Sequence, residues 1–448
     1  MRLPLTFLAC LAATAATLTL GGCARDEPPP ILSPLPARAV EATGLFSPKA
    51  VGWPAEGRPW IAHLDTFDLD QDGLMDILVC DAQKNCVTWV RQKSRGVYEE
   101  IVVADNVPAP VHVEAVDMNR DGSPDLLVAS MGQLFPNNDK IGTVLVYEND
   151  GKQTFKRHVL AEHICRVTDV RAGDFNRDGL LDLAVGQFGY DQGEVRWMEN
   201  LGDWKFRSHE LLGLSGTVHV CVADYTGDGA SDIAALVSQQ WEEIYLFTND
   251  GSGRFTKKII WGSTNEDYAG SGMLLGDLNR DGRPDLLFSN GDGFGPTTTP
   301  GPRPWHGVQW LENTGGGTFK FHRIGTLGGA YSPVAVDLDG DGPMDVVAVS
   351  AFNEWEKPGA VSMVWYRNDG RQNFTPHILA TTPTHLLTIA VADMDGSGRP
   401  TIVSGGFFSN PPYDHLNRLL LWQRTGAALP DPASARAGAT VPPAAGSR

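Results

Sequence analysis

Seven times along this chain an aspartate-rich stretch of nine residues runs straight into an apolar segment, at spacings of 49 to 60 residues. The stretches begin at Asp68, Asp117, Asp174, Asp224, Asp277, Asp337 and Asp393. A fixed period of this length is the mark of a propeller or a solenoid. Each period repeats one internal order: an apolar strand into the loop, a second strand out of it, and a third that carries an aromatic, as in Val195-Arg-Trp197-Met-Glu-Asn200. A turn and a fourth strand such as Phe155-Lys-Arg-His158-Val-Leu complete it. Asn149-Asp150-Gly151, Asn249-Asp250-Gly251 and Asn368-Asp369-Gly370 are hairpin turns, because that turn needs positive φ. Four strands in each of seven periods predict an all-β, seven-bladed β-propeller with four-stranded blades. The chain ends decide against an open solenoid. The last period has strands over 386–391, 401–405 and 418–424 but no fourth, while Leu45-Phe46-Ser47-Pro48-Lys49-Ala50-Val51 resembles the fourth strand Asn373-Phe374-Thr375-Pro376-His377-Ile378-Leu379. The N-terminal segment is therefore expected to complete the last blade and close the ring.

The loops themselves are oxygen-rich. In Asp337-Leu-Asp339-Gly-Asp341-Gly342-Pro-Met-Asp345, carboxylates stand at positions 1, 3, 5 and 9 and a glycine at 6, the spacing by which oxygens converge on a hard cation such as Ca2+. Position 12 is Ala348, inside a β-branched run, so the exit element is a strand and an EF-hand is ruled out. The first loop offers Asp68, Asp70, Asp72 and Asp76 in the same pattern. The second, third and fifth place an amide at position 3: Asp117, Asn119, Asp121, Asp125; Asp174, Asn176, Asp178, Asp182; and Asp277, Asn279, Asp281, Asp285. The fourth has Asp224, Thr226, Asp228 and Asp232. The seventh pairs Asp393 and Asp395 with Ser397 and Thr401, and is expected to be degenerate. The reading is about six calcium sites of structural role, binding in the roughly 10⁻⁴–10⁻³ M range usual for extracellular modules.

These loops, with their Asn-Asp-Gly turns, resemble the FG-GAP/VCBS repeat family, which includes the calcium-bearing propeller of integrin α subunits. The resemblance covers about residues 44–426 and implies the fold and the metal. It implies little about a ligand, because the family spans adhesion, carbohydrate binding and some enzymes.

Acidic residues outnumber basic ones, 54 to 36, which argues against nucleic-acid binding. Residues 1–22 read as an export signal, with Arg2 before an apolar run ending in small residues. Leu20-Gly21-Gly22-Cys23 resembles the bacterial lipoprotein cleavage box, which implies a lipidated Cys23 and attachment to the membrane through that lipid only; a plain soluble signal is the alternative. Ala24 after the cysteine resembles outer-membrane lipoproteins, which points to the cell envelope. Residues 23–43 read as a Pro-rich tether and 427–448 as a disordered tail. Cys80 and Cys86 either close a hairpin as a disulfide or stay free and buried, as do Cys165 and Cys221. His158, His209, His322 and His377 recur on fourth strands and read as cations guarding blade edges, while Trp197, Trp310, Trp365 and Trp422 read as packing.

If the calcium loops and Asn-Asp-Gly turns share one face, the longer aromatic connections lie on the other. They are 131–142 with Phe135, 187–193 with Phe188 and Tyr190, 290–307 with Phe294, Trp305 and His306, 351–359 with Phe352 and Trp355, and 405–417 with Phe407, Phe408 and Tyr413. Strand parity places a polar set, His63, Asp65, His112, Glu114, Asp169, Arg171 and His219, along the channel mouth. The function expected is binding of a glycan or an envelope or extracellular protein through this face. The alternatives are a carbohydrate-active lyase or hydrolase at the channel mouth, against which no Gly-x-Ser-x-Gly or His-Glu-x-x-His motif occurs, and a scaffold in an envelope assembly.

Overall fold

A computed structural model describes residues 44–428 apart from 136, 240, 294–300 and 414. The export signal, Cys23, the tether, nearly all of the tail and Phe294 lie outside the described residues. Within them, twenty-eight strands form seven antiparallel four-stranded sheets, the blades of a propeller. The innermost strands are Ile61–Phe67, Pro110–Val116, Arg166–Gly173, Thr217–Ala223, Gly270–Gly276, Ala330–Val336 and Leu386–Ala392. No described helix is long and apolar enough to cross a membrane.

Closure follows the expected route. Phe46–Ala50 pairs antiparallel with Leu419–Arg424, from Phe46 opposite Arg424 to Ala50 opposite Leu420. Leu45 and Phe46 are buried with Trp365, Leu386 and Trp422, so the first strand of the chain is held by apolar burial as well as by its ladder. Joining the two ends in one sheet removes the free edge that an open array would expose.

Second strands are buried on both faces: Asp76–Asp81, Asp125–Ser130 and Asp345–Ser350 have no exposed residue. Their side chains fill the spaces between neighbouring blades together with third-strand aromatics. Trp89, Trp310, Trp365 and Trp422 are at most 1% exposed and Trp197 is 6% exposed, in accord with packing. Fourth-strand histidines stack on these indoles, His209 on Trp197 and His322 on Trp310 at 4.4 Å between ring centroids. Cys80, Cys86, Cys165 and Cys221 are free and buried. Cys80 stands opposite Val87 and Asp81 opposite Cys86, so the two sulfurs are one rung out of register and a hairpin disulfide does not form.

One irregularity recurs in every blade. Each inner strand carries a bulge at the same height, where Ala62, Val111, Thr168, Val218, Ser271, Leu387 and, in the sixth blade, Ser332 with Pro333 have no rung of their own. A bulge re-aims a side chain. Here seven of them turn one side chain per blade toward the axis.

Candidate functional site: the inner turns and the axial cavity

The Asp-rich loops wrap around their own first aspartate. Asp117 accepts from Asp121 N–H at 3.1 Å and Gly122 N–H at 2.9 Å, and Asp277 accepts from Asp281 and Gly282 at 3.0 and 2.9 Å. Position 6 is a glycine in the left-handed region in all seven loops, from φ 77° at Gly398 to 112° at Gly342, which explains the residue type. The position-3 Oδ1 accepts the position-5 amide in the second, third, fifth, sixth and seventh loops. In the first six loops the ninth residue is a buried aspartate that ties the loop's second residue to the third strand. Asp285 accepts from Leu278 N–H at 3.0 Å and Asn313 N–H at 2.8 Å, and Asp76, Asp125, Asp182, Asp232 and Asp345 repeat the bridge. Burial pushes the carboxyls of Asp76, Asp125, Asp182, Asp285 and Asp345 up to about 6, against the pull of those amides.

These residues fit a hard cation. One oxygen each of Asp68, Asp70 and Asp76 lie within 4.8 Å of one another, and so do those of Asp337, Asp339 and Asp345. Oδ1 of Asp174 is buried with no hydrogen-bond donor, an unfavourable state for a carboxylate unless a cation faces it, and Asp70, paired with Arg91 through Oδ2, keeps a buried Oδ1 without a donor. The seventh loop keeps the wrap, with Asp393 accepting from Ser397 and Gly398, but Thr401 replaces the ninth carboxylate.

On the opposite face the axis opens into a cavity of about 640 Å³ lined by all seven blades. Its floor includes the bulged residues Ala62, Val111, Thr168, Val218, Ser271, Ser332 and Leu387. Its walls bring together Phe135, Phe188, Tyr190 and Phe407 from three of the aromatic loops. Trp60, half-buried, lies 5.8 Å from Phe135 and 5.9 Å from Phe407 between ring centroids, tying two of those loops into one wall. The other aromatics are placed elsewhere: Phe352 and Phe408 are buried, Trp305 donates to the Asp267 carbonyl at 2.7 Å, and Trp355 packs against His385. Tyr413 stacks on Arg58, and His306 is buried.

The polar set from the inner strands converges on Asp169. This carboxylate is fully buried and accepts from Val220 N–H at 3.0 Å, with His219 Nδ1 at 3.2 Å, Arg171 Nε at 3.3 Å and His112 Nδ1 at 3.3 Å. Burial opposes its ionisation, but the Arg171 charge and the hydrogen bond from His219 outweigh burial and hold it well below the usual carboxylate range. His112 is itself kept neutral by burial and by Arg171, so its contact with Asp169 is not an ion pair. His63 packs against His112 at 4.4 Å between ring centroids and accepts Val113 N–H at 3.3 Å; burial and Arg171 push it down to about 3. Asp65 and Glu114 are raised by burial, and Glu114 accepts from Ala172 N–H at 3.2 Å. His63, Asp65, Arg171 and His219 line a second, inner space of about 240 Å³ along the axis. His112 and Asp169 are buried behind that wall, and Glu114 lines neither space.

Sequence parity missed the bulge ring and the inward turn of Glu242, which lines the outer cavity, accepts from Ser238 Oγ and Gly270 N–H, and is pushed up to about 7 by burial. Strand period alone carries no bulge signal. The shared offset of Ala62, Val111, Thr168, Val218, Ser271 and Leu387, six residues before their loops, is visible once the repeats are aligned.

Fold and loops together define a class: closed propellers whose inner turns are Asp-rich loops. Within it, the FG-GAP-like repeat profile matches residues 68–128, 117–185, 174–235, 232–288 and 298–348, and the chain belongs to that family. It is also similar to mouse integrin alpha-X, 24% identical over 247 residues that make up 53% of this chain and 20% of that protein. The chain thus spans about a fifth of that relative's length. Among solved structures it is similar to BBS1N chains from crystals of a complex with ARL6DN. The lead-soaked form has a TM-score of 0.50 at 11% identity, covering 86% of this chain and 98% of that one. The mercury-soaked form has a TM-score of 0.50 at 10% identity, covering 87% and 99%. At that identity the likeness is one of fold alone.

Proposed function

We propose that this protein is a calcium-stabilised propeller, anchored in the cell envelope through a lipid on Cys23, that binds a glycan or a protein through the axial cavity on the face away from the calcium loops. One observation carries the reading: Phe135, Phe188, Tyr190 and Phe407, from loops far apart in sequence, share the walls of one 640 Å³ space. Such a volume suits a small ligand or the tip of a larger one, and flat aromatic walls suit sugar faces and apolar side chains. Family membership supports a binding or scaffold role. Calcium is supported by the convergent carboxylates and the unpartnered Asp70 and Asp174 oxygens. Hard oxygen donors in a flexible loop favour it over magnesium. Incubation with a polysaccharide panel, followed by melting and chain-length measurements, tests the reading. A raised melting temperature without cleavage, lost in Phe135→Ala/Phe188→Ala, is expected. No shift with any polysaccharide or envelope extract would remove it.

A carbohydrate-active enzyme is the second reading, favoured by one specific pairing. His219, oriented by Asp169, and Glu242, poised near neutrality, line the same cavity as an orienter-supported base and a candidate acid. Shortened chains in the same panel, abolished by His219→Ala, would select this reading.

A further inference from the structure

In the first, second, fifth and sixth blades the third strand presents one side chain to position 3 of that blade's Asp-rich loop, and across the first six blades its chemistry tracks the loop. In the first blade Arg91 meets Asp70 at 2.5 Å, and in the sixth Arg367 meets Asp339 at 2.6 Å and Asp341 at 3.0 Å. In the second and fifth blades position 3 is an amide, and its Nδ2 faces a carboxylate: Asn119 toward Glu148 and Asn279 toward Glu312, each at 3.5 Å. The third blade carries Asn176 with Glu199 at the matching rung, fixed by the bond from Asn200 N–H to Asp182. In the fourth both are hydroxyls, Thr226 with Thr248.

Charge follows the same rule. Asp with Arg sums to zero, and so does Thr with Thr. Where the strand residue is Glu, the fourth strand supplies two partners to it: His158 at 2.7 Å and Lys156 at 3.5 Å on Glu148, His209 at 3.0 Å and Arg207 at 3.3 Å on Glu199, His322 at 2.7 Å and Lys320 at 3.8 Å on Glu312. Offset by one guanidinium each, the four aspartates of the first and of the sixth loop leave a net three negative charges, matching the three aspartates of each of the second to fifth loops. Arg280 and Arg283 also approach loop carboxylates, but they, like Lys156, Arg207 and Lys320, are more than two-fifths exposed and screened by solvent.

We infer that this strand residue is the charge regulator of its cation loop, and that Arg91 and Arg367 offset the extra carboxylate of the first and sixth loops so that all six present a cation with a similar field. The inference rests on the calcium reading and adds a positioning role for residues outside the loop motif. Its test is calcium calorimetry on the whole protein. The native chain should bind in a single affinity class. Arg91→Gln removes a unit charge beside a ligating carboxylate and should move one site to roughly tenfold tighter binding; Arg367→Gln should do the same in another blade, and the double variant should move two. Arg91→Lys keeps the charge and should behave as the native chain. A purely structural arginine predicts the opposite sign, because a loosened loop binds more weakly. Unchanged or weaker calcium binding in both Gln variants would overturn the inference, whereas no calcium heat from the native chain would bring down the calcium reading itself.

Discussion

At the residue scale, the most informative side chain is the asparagine that opens the hairpin turn. The sequence presents it as turn chemistry, and Asn249 does fix the turn, accepting Gly251 N–H at 3.1 Å. It also does what no local pattern reveals. Its Nδ2 donates to the Ser231 carbonyl at 3.0 Å and, across the blade boundary, to the Phe175 carbonyl at 2.7 Å. Asn313 repeats the cross-blade bond to Tyr225, and Gln92 reaches Met394. Asn249→Ala should therefore cost about 2–4 kcal/mol, from lost bonds and orphaned buried carbonyls, measured by denaturant unfolding. A second test concerns Glu242, whose folded-state value of about 7 lies above its ordinary 4.5. The native state holds that proton more tightly than the unfolded chain. Its stabilising contribution is thus full below about pH 4.5 and is lost as pH rises through about 7, a span of about 3 kcal/mol. In saturating calcium, Glu242→Gln should flatten the melting profile between pH 5 and 8; a slope equal to that of the native chain would contradict the assignment.

At the scale of elements, the strands were legible because their signals are local and repeated. The last blade's strands at Leu386–Ala392, Thr401–Gly406 and Leu419–Arg424 fall within a residue or two of the sequence reading. The partner of Leu419–Arg424 was legible only because 45–51 looks like a fourth strand without a blade. Removing residues 44–53 should lower the melting temperature sharply, since it exposes the face that Leu45 and Phe46 cover and opens the ring; an unchanged temperature would count against closure by this strand. The polar channel set was read only in part. Alternation placed His63 and His219 beside the axis, but it could not say that Asp169 sinks behind them, because burial there is decided by contacts between blades. Trp305 and Trp355 sit on loops where the sequence points to exposed aromatics, yet they pack on Asp267 and His385 outside the cavity.

At the scale of the whole molecule, two faces divide the work. One carries a ring of Asp-rich turns, where much of an acidic chain's surplus is gathered. The other carries the aromatic mouth of the axial cavity, which exists only because the ring is closed and every blade contributes to it. The proposed function therefore couples stability to binding through closure: cations held at the inner turns would also hold the blades whose far ends shape the cavity. Thermal unfolding of the whole protein in calcium and in excess chelator tests this most directly. A melting temperature raised by calcium, lowered by chelator and restored on adding the ion back is the expected result. Identical melting curves in both conditions, with no calcium found in the purified protein by elemental analysis, would contradict the account.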